Sequence, residues 1–301
     1  MPSRAAAAAT KAPVQDKVVA LEEEEFSLTA KDYRGEVKPV WCPGCGDFGV
    51  LSATAKALAA LQVMPHQVVI VSGIGCSSRL PYFMSTYGLH SVHGRAIPIA
   101  TGLKMARPDL TVFAMGGDGD LMSIGAGHLP HVCARNIDMT CVMMDNQVYG
   151  LTKGQGSPTS PMGHLSKSTP YGMIAKAANP ILLALSYGAS FVARGYSARP
   201  NELANLIVEG VRHKGFSFIH VQSPCTEFFN TYDHYDGLVE ELPGDWDRSN
   251  LPAAIDLALT EERVHLGIFY KEERPMYEVE ARQFEKEAQS FDLLSYLRRF
   301  A

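Results

Sequence analysis

Residues 116–150 read GGDGDLMSIGAGHLPHVCARNIDMTCVMMDNQVYG, and this stretch with its flanks decides the fold. An apolar run rich in strand formers, 110–115, precedes it and is stopped by the glycines. Leu121, Ile124, Leu129 and Val132 then recur at roughly helical spacing. A second apolar run, 139–144, stops on Asp145 and Asn146. Strand, helix, strand in this order predicts a parallel pair and an α/β fold. Both strands finish on oxygen-bearing side chains, Asp118 and Asn146. Open α/β sheets bind their ligands at that carboxyl edge.

Those residue types suit a hard divalent cation such as Mg2+, which takes a carboxylate and neutral oxygens and leaves room for phosphate. Asp118 offers the charge, Asn146 a carboxamide oxygen, and the turn at Val148 a backbone carbonyl. The glycines at 116, 117 and 119 allow close approach of a diphosphate, and a helix starting near Asp120 would turn its positive end toward it. GDG, residues 120–145 and then Asn146 resemble the motif of thiamine diphosphate enzymes. A plain glycine turn after a strand is the competing explanation, and the rest of the chain has to arbitrate.

The composition is that of an ordinary globular protein: 301 residues, 46% hydrophobic and 20% charged. A net charge of −5 argues against a nucleic-acid partner. The apolar runs are far too short to span a membrane. Residues 1–36 read as an N-terminal extension, Ala-rich and then acidic at Glu22–Glu25, that stays solvated or contacts a partner. Six cysteines in a chain of this length do not form a disulfide framework, so a cytoplasmic location is expected.

Trp41-Cys-Pro-Gly-Cys-Gly-Asp47 places Cys42 and Cys45 at a spacing that lets two thiolates reach one metal or cluster. Asp47 is expected to cap a helix running to Leu61. A zinc knuckle, a thioredoxin-like pair and half of an iron–sulfur site all fit the local pattern. Two more cysteines follow strand-like runs: Cys76 after 67–71, and Cys225 after 216–221. In a parallel sheet both share an edge with Asp118 and Asn146, so 42, 45, 76 and 225 could hold a [4Fe–4S] cluster. Cys133, in a helical pattern, and Cys141, inside a strand, read as buried small hydrophobes.

His93, ahead of a helix at 96–106, is either a ligand contact or a residue satisfying a backbone carbonyl; Arg79 is either at the rim of the same edge or a surface arginine. Residues 148–161 form a polar, Gly/Pro-rich loop long enough to wrap a ligand. Residues 186–194 read as a strand, and a helix is expected from Arg199 to His213. Residues 37–228 are expected to form the binding domain. Residues 229–301 are expected to form an appendage: one helix near 251–262, a largely extended stretch at 267–283 and a helical end.

From Trp41 to about Tyr277 the chain is similar to the β subunit of 2-oxoacid:ferredoxin oxidoreductases, particularly the 2-oxoglutarate type. WCPGCG, SGIGCSSR, HGRAIPIATGLK, GGDGDLMSIG, DNQVYGLTKGQ and QSPC occur in that order. The resemblance implies a parallel-sheet thiamine diphosphate fold with helices on both faces. It implies Cys42, Cys45, Cys76 and Cys225 as cluster ligands, and Asp118, Asn146 and Val148 as Mg2+ ligands. Ile74, Gly75, Cys76, Ser77, His93, Gly117, Gly119, Asp120, Gly150, Leu151 and Thr152 would contact the cofactor, and Arg79 the distal carboxylate of the substrate. The implied reaction is coenzyme A-dependent oxidative decarboxylation of 2-oxoglutarate to succinyl-CoA and CO2, with electrons passing through the cluster to ferredoxin. An α subunit would supply the rest of the thiamine and coenzyme A sites, in an (αβ)2 assembly. Pyruvate or a broad range of 2-oxoacids is the alternative substrate; a non-catalytic electron-transfer subunit is the alternative of another class.

Overall fold

The computed structural model describes residues 27–260, 262–288 and 292–300. Most of the expected N-terminal extension, including Glu22–Glu25, lies outside them. Of its described part, Leu28 and Tyr33 belong to the core, and the Tyr33 hydroxyl donates to the Val63 carbonyl at 2.7 Å.

The chain opens with α1 (Asp47–Leu61), whose Ala- and Leu-rich sequence favours helix. Then come β1 (Val68–Ser72), β2 (Tyr87–His90), α2 (Ala96–Ala106) and β3 (Thr111–Gly117). After a short α3 (Leu129–Arg135), β4 runs from Met139 to Asp145, and the two-residue strands β5 (Val148–Tyr149) and β6 (Gln155–Gly156) form a small hairpin. The second half contributes α4 (Pro180–Ser186), β7 (Phe191–Tyr196), α5 (Pro200–Arg212), β8 (Phe216–Gln222), α6 (Tyr232–Asp236) and β9 (Val239–Glu241). It closes with α7 (Leu251–Ala258), β10 (Val264–Lys271), α8 (Tyr277–Ala288) and α9 (Leu293–Leu297). No helix among the described residues is long and apolar enough to cross a membrane.

Eight strands form one sheet in the order β2-β1-β3-β4-β8-β7-β10-β9. All neighbours are parallel except β7 and β10. Strands β1, β4 and β8 are buried along their whole length, which is why they read as predominantly apolar runs. Alternate residues feed two cores: Val69, Val112, Ala114 and Cys141 pack on one face, Ile70, Phe113, Met115 and Val142 on the other. Helices α1 and α5 pack together over the second core. From β1 the chain first goes outward to β2, then returns to β3 on the other side. The loops after β1 and β3 therefore flank a topological switch point, where such sheets have a crevice.

Three local expectations need correction. The helix foreseen from Asp120 is broken: residues 120–124 make one π-type turn, Ser123 leaves helical space (φ −98°, ψ −107°), and α3 begins only at Leu129. Glycines at 125 and 127 dilute the helical pattern there, so tertiary packing decides the path. The strand foreseen at 186–194 is really the end of α4, a turn and then β7; Asn179 caps α4 by accepting from Leu182 N at 3.1 Å, and Pro180 starts it. Residues 277–283, foreseen as extended, are helical and open α8, with Glu278 and Glu280 at the positive first turn. Residues beyond 228 also contribute β9 and β10, so the main sheet runs across the expected domain division.

Candidate functional site

Loop 73–77 leaves β1, loop 117–120 leaves β3, and loop 146–152 leaves β4, all at the same sheet edge. Together they enclose a cavity of about 280 Å3. Ile74, Gly75, Cys76 and Ser77 line it from the first loop, Gly117, Asp118, Gly119 and Asp120 from the second. Asn146, Val148, Gly150, Leu151 and Thr152 line it from the third, and His93 enters from the turn before α2. Every residue expected to contact the cofactor or Mg2+ thus borders one cavity.

Its order comes from buried acids. The Asp120 side chain accepts three hydrogen bonds on Oδ1: from Ile74 N at 3.0 Å, Gly94 N at 2.7 Å and His93 Nδ1 at 2.7 Å. Donating from Nδ1 leaves Nε2 of His93 free for a ligand. Asp120 Oδ2 is buried with no partner among the described residues. Gly75 has φ +124°, a conformation reserved for glycine, and it turns the first loop back over the cavity. A side chain at Gly119 would collide with the ring of Tyr149, whose hydroxyl donates to the Gly119 carbonyl at 3.1 Å.

Asp118 is 1% exposed. Burial, and then the Asp145 carboxylate, raise its pKa to about 7. The Thr159 hydroxyl lies 2.7 Å from Asp118 Oδ2 and 2.8 Å from Asp145 Oδ1. Asp145 is further held by Gln147 N at 3.0 Å and by His220 Nε2 at 2.8 Å. On the loop after β4, Asn146 Oδ1 accepts from Val148 N at 3.0 Å, a local turn that fixes the carboxamide. Two carboxylates in one buried network form an environment that a divalent cation would stabilise.

A second cavity, of about 340 Å3, adjoins the first and shares Cys76, Asn146, Gly150 and Leu151 with it. Cys42, Cys45, Cys76 and Cys225 all line it. A Cβ built on Gly150 would sit 3.5 Å from Cys76 Sγ and 3.9 Å from Cys225 Sγ, so both sulfurs border the shared wall. Burial pushes the Cys76 thiol up to about 11, with Asp47 and Cys225 adding to it; burial also drives Cys45 upward. Trp41 Nε1 donates to the Cys76 carbonyl at 2.7 Å and so ties the first cysteine loop to the second. The Tyr232 hydroxyl donates to Gly44 O at 2.9 Å, Thr226 Oγ1 to Pro43 O at 2.9 Å, and Gly46 N to Pro224 O at 3.0 Å. Among the described residues no group of three or more His, Cys, Asp or Glu is disposed to hold one metal ion. Cys133 and Cys141 are fully buried in the core.

Two site expectations shift. Asp47 does not cap α1; Gly46 holds that position, and Asp47 lies buried in the first turn, its Oδ1 accepting from Ser223 Oγ at 2.8 Å. Burial raises its pKa to about 6. Arg79 lines the cysteine cavity and is not part of the first cavity's wall. Sequence reasoning missed Tyr149, Thr159 and Tyr232. Lys153 lines the cysteine cavity with φ +83°, rare for a side-chain-bearing residue. For Thr159 the sequence carried no signal.

Residues 66–221 match the family described as the C-terminal TPP binding domain of thiamine pyrophosphate enzymes, and residues 227–286 match the C-terminal segment of the pyruvate ferredoxin oxidoreductase β subunit. The 2-oxoacid:ferredoxin oxidoreductase subunit β of Sulfolobus sp. is 46% identical over 255 residues, 79% of this chain and 84% of that one. The 2-oxoglutarate synthase subunit KorB of Methanocaldococcus jannaschii is 40% identical over 228 residues, 76% of this chain and 79% of that one. The solved 2-oxoglutarate:ferredoxin oxidoreductase from Magnetococcus marinus, with 2-oxoglutarate, coenzyme A and succinyl-CoA bound, superposes with a TM-score of 0.87 at 42% identity, covering 91% of this chain and 96% of that one. Sheet order, cavity and kinship agree: the chain belongs to the β subunits of the 2-oxoacid:ferredoxin oxidoreductases, heteromeric enzymes.

Proposed function

We propose that this chain holds the diphosphate–Mg2+ half of a thiamine diphosphate site and a [4Fe–4S] cluster. In this reading its enzyme oxidises 2-oxoglutarate with coenzyme A to succinyl-CoA and CO2, in either direction, and exchanges electrons with ferredoxin. The observation that carries the reading is the shared wall: Cys76 and Gly150 border both the acid-lined and the thiol-lined cavity. A redox group among the thiols would stand next to the cofactor, with no second protein needed in between.

The residues fit both groups. Asp118, Asn146 and the Val148 carbonyl would hold Mg2+, and the cation would relieve the buried Asp118–Asp145 pair. His93, oriented by Asp120, would meet the cofactor from the side. When bound, thiamine diphosphate supplies the electron sink for decarboxylation. Four thiols spread around one cavity suit the outer faces of a cluster, whereas a zinc ion needs its donors converging on a point. That distinction accounts for a cavity that meets no single-ion geometry. Arg79 on the cysteine side would reach the substrate's distal carboxylate across the shared wall. An α subunit completes the site in an (αβ)2 assembly in the cytoplasm, and this chain alone would be inactive.

The experiment is co-purification with the α subunit, iron and sulfide analysis, and 2-oxoacid-dependent viologen reduction with coenzyme A. Near four iron atoms per β chain and a preference for 2-oxoglutarate are expected for a [4Fe–4S] enzyme of this type. Absence of iron together with Mg2+-independent cofactor binding would overturn the reading. A broader 2-oxoacid range is the second reading, favoured by the Sulfolobus relative, which is named only for 2-oxoacids. The substrate screen separates the two.

A further inference from the structure

The loop 157–160 lies far in sequence from both residues it connects. Ser157, Thr159 and Ser160 are nearly or fully buried. Ser160 Oγ receives the Ser157 N–H at 2.8 Å and donates to the Gln147 carbonyl at 2.5 Å, while Gln147 Nε2 donates to the Thr159 carbonyl at 3.2 Å. The loop is thereby clamped to the turn that carries Asn146. Gln147 itself sits at φ +62°, so that turn is held in an uncommon conformation by these contacts.

From this clamped position the Thr159 hydroxyl reaches both Asp118 and Asp145. A hydroxyl carries one proton and cannot donate to two carboxylates at once. Asp145 has donors of its own, Gln147 N and His220 Nε2, and His220 Nδ1 in turn accepts from Arg194 Nε at 3.3 Å. A guanidinium and an imidazole thus back Asp145, which leaves the threonine proton for Asp118. Ser157 and the Gly119 N–H also hydrogen-bond the Asp118 carboxylate, and the Thr159 hydroxyl meets it at Oδ2. Such hydrogen bonds to ligating carboxylates orient them and tune metal affinity.

We propose that Thr159 is the positioning residue of the cation site: clamped to the Asn146 turn, its hydroxyl sets the Asp118 carboxylate for a divalent cation. The proposal rests on Asp118 being a Mg2+ ligand, and the test keeps the two apart. The assembled complex, stripped of cofactor, is titrated with thiamine diphosphate at graded Mg2+ concentrations, with binding followed by calorimetry. Thr159→Val should raise the Mg2+ concentration for half-saturation by about 10- to 100-fold, the usual loss for a residue behind a metal ligand. Thr159→Ser, which restores the hydroxyl, should stay near wild type. Iron content and subunit assembly should not change in either.

Thr159→Ala carries the same expectation as valine and replaces it if the valine variant does not assemble. Asp118→Asn is the control. If it loses Mg2+-dependent binding while Thr159→Val and Thr159→Ala keep the wild-type response, Thr159 is merely packed there and the proposal is overturned. Equal losses in the serine and valine variants overturn it too, because the hydroxyl would then not be the cause. If Asp118→Asn itself retains the Mg2+ dependence, the ligand assignment fails instead.

Discussion

The two adjoining cavities are built on opposite plans. In the first, the protein's own groups settle one another before any ligand arrives: three donors converge on one oxygen of Asp120, and Tyr149 locks the loop at Gly119. In the second, the loops are tied by Trp41, Thr226 and Tyr232, yet burial holds the Cys45 and Cys76 thiols in their protonated form. One cavity has its side chains already paired with one another; in the other the ties run to the backbone of the cysteine loops and not to the thiols. Substitutions should therefore act differently on the two sides, graded in the first and all-or-none in the second, except at the cation ligand itself.

Asp118→Ala tests that exception and has the largest expected effect. Removing the carboxylate should abolish Mg2+-dependent cofactor binding and with it activity, while the cluster spectrum stays intact. Calorimetry and the visible absorbance of the same sample check both halves. Loss of the cluster in this variant would mean that the two cavities fold as one unit, and the contrast drawn between them would break.

Next come the cysteines. Serine at any of 42, 45, 76 or 225 should bleach or degrade the cluster, measured as iron per chain. Cys133→Ser and Cys141→Ser should leave iron unchanged and cost only about 1–3 kcal/mol of stability, as buried polar exchanges. A cluster spectrum that survives Cys225→Ser would remove that residue from the ligand set.

Much of this arrangement was legible in the sequence because its signals are local. Strand-end residues such as Asp118, Cys76 and Cys225 follow apolar runs that no helix or loop explains, and parallel pairing then places all of them at one edge. What stayed hidden depends on contacts between distant segments. Thr159 is separated from Asp118 by the whole crossover, and Tyr232 reaches Gly44 from beyond the last cysteine. The helix expected at Asp120 failed for the converse reason. Its apolar spacing was adequate, but the Asp120 side chain is spent on Ile74, His93 and Gly94, and the backbone yields at Ser123. Similarly, Asp47 looked like a cap in isolation and is instead drawn inward by Ser223.

Arg79 sharpens the comparison from the substrate's side. It lines the thiol cavity, where its charge lowers the Cys76 pKa against the larger effect of burial. A guanidinium there can also meet a dicarboxylate that crosses the shared wall. Arg79→Met should then cost about 1.5–3 kcal/mol on 2-oxoglutarate, roughly a ten- to more than hundred-fold drop in kcat/KM. Pyruvate, without the distal carboxylate, should be nearly unaffected. Equal losses on both substrates would assign the arginine to packing or to the α subunit.

The smallest expected effect comes from Tyr232, and it probes whether the thiol cavity is held from outside. Its hydroxyl donates to the Gly44 carbonyl between Cys42 and Cys45, so a residue of the C-terminal segment pins the loop that carries two thiols. Tyr232→Phe keeps the ring and deletes one neutral hydrogen bond, worth about 0.5–1.5 kcal/mol at most. The contact is exposed, so the lower end is expected. With a cluster in place, the two Fe–S bonds from Cys42 and Cys45 would dominate the loop's energetics, and activity and iron content should match wild type. The difference should surface only when those bonds are challenged: cluster loss to a chelator should accelerate by about two- to tenfold, the range that this energy gives if it is lost mainly from the intact state. An unchanged rate would show that Trp41 and Thr226 hold the loop without help, and that the thiol cavity is as preorganised as its neighbour.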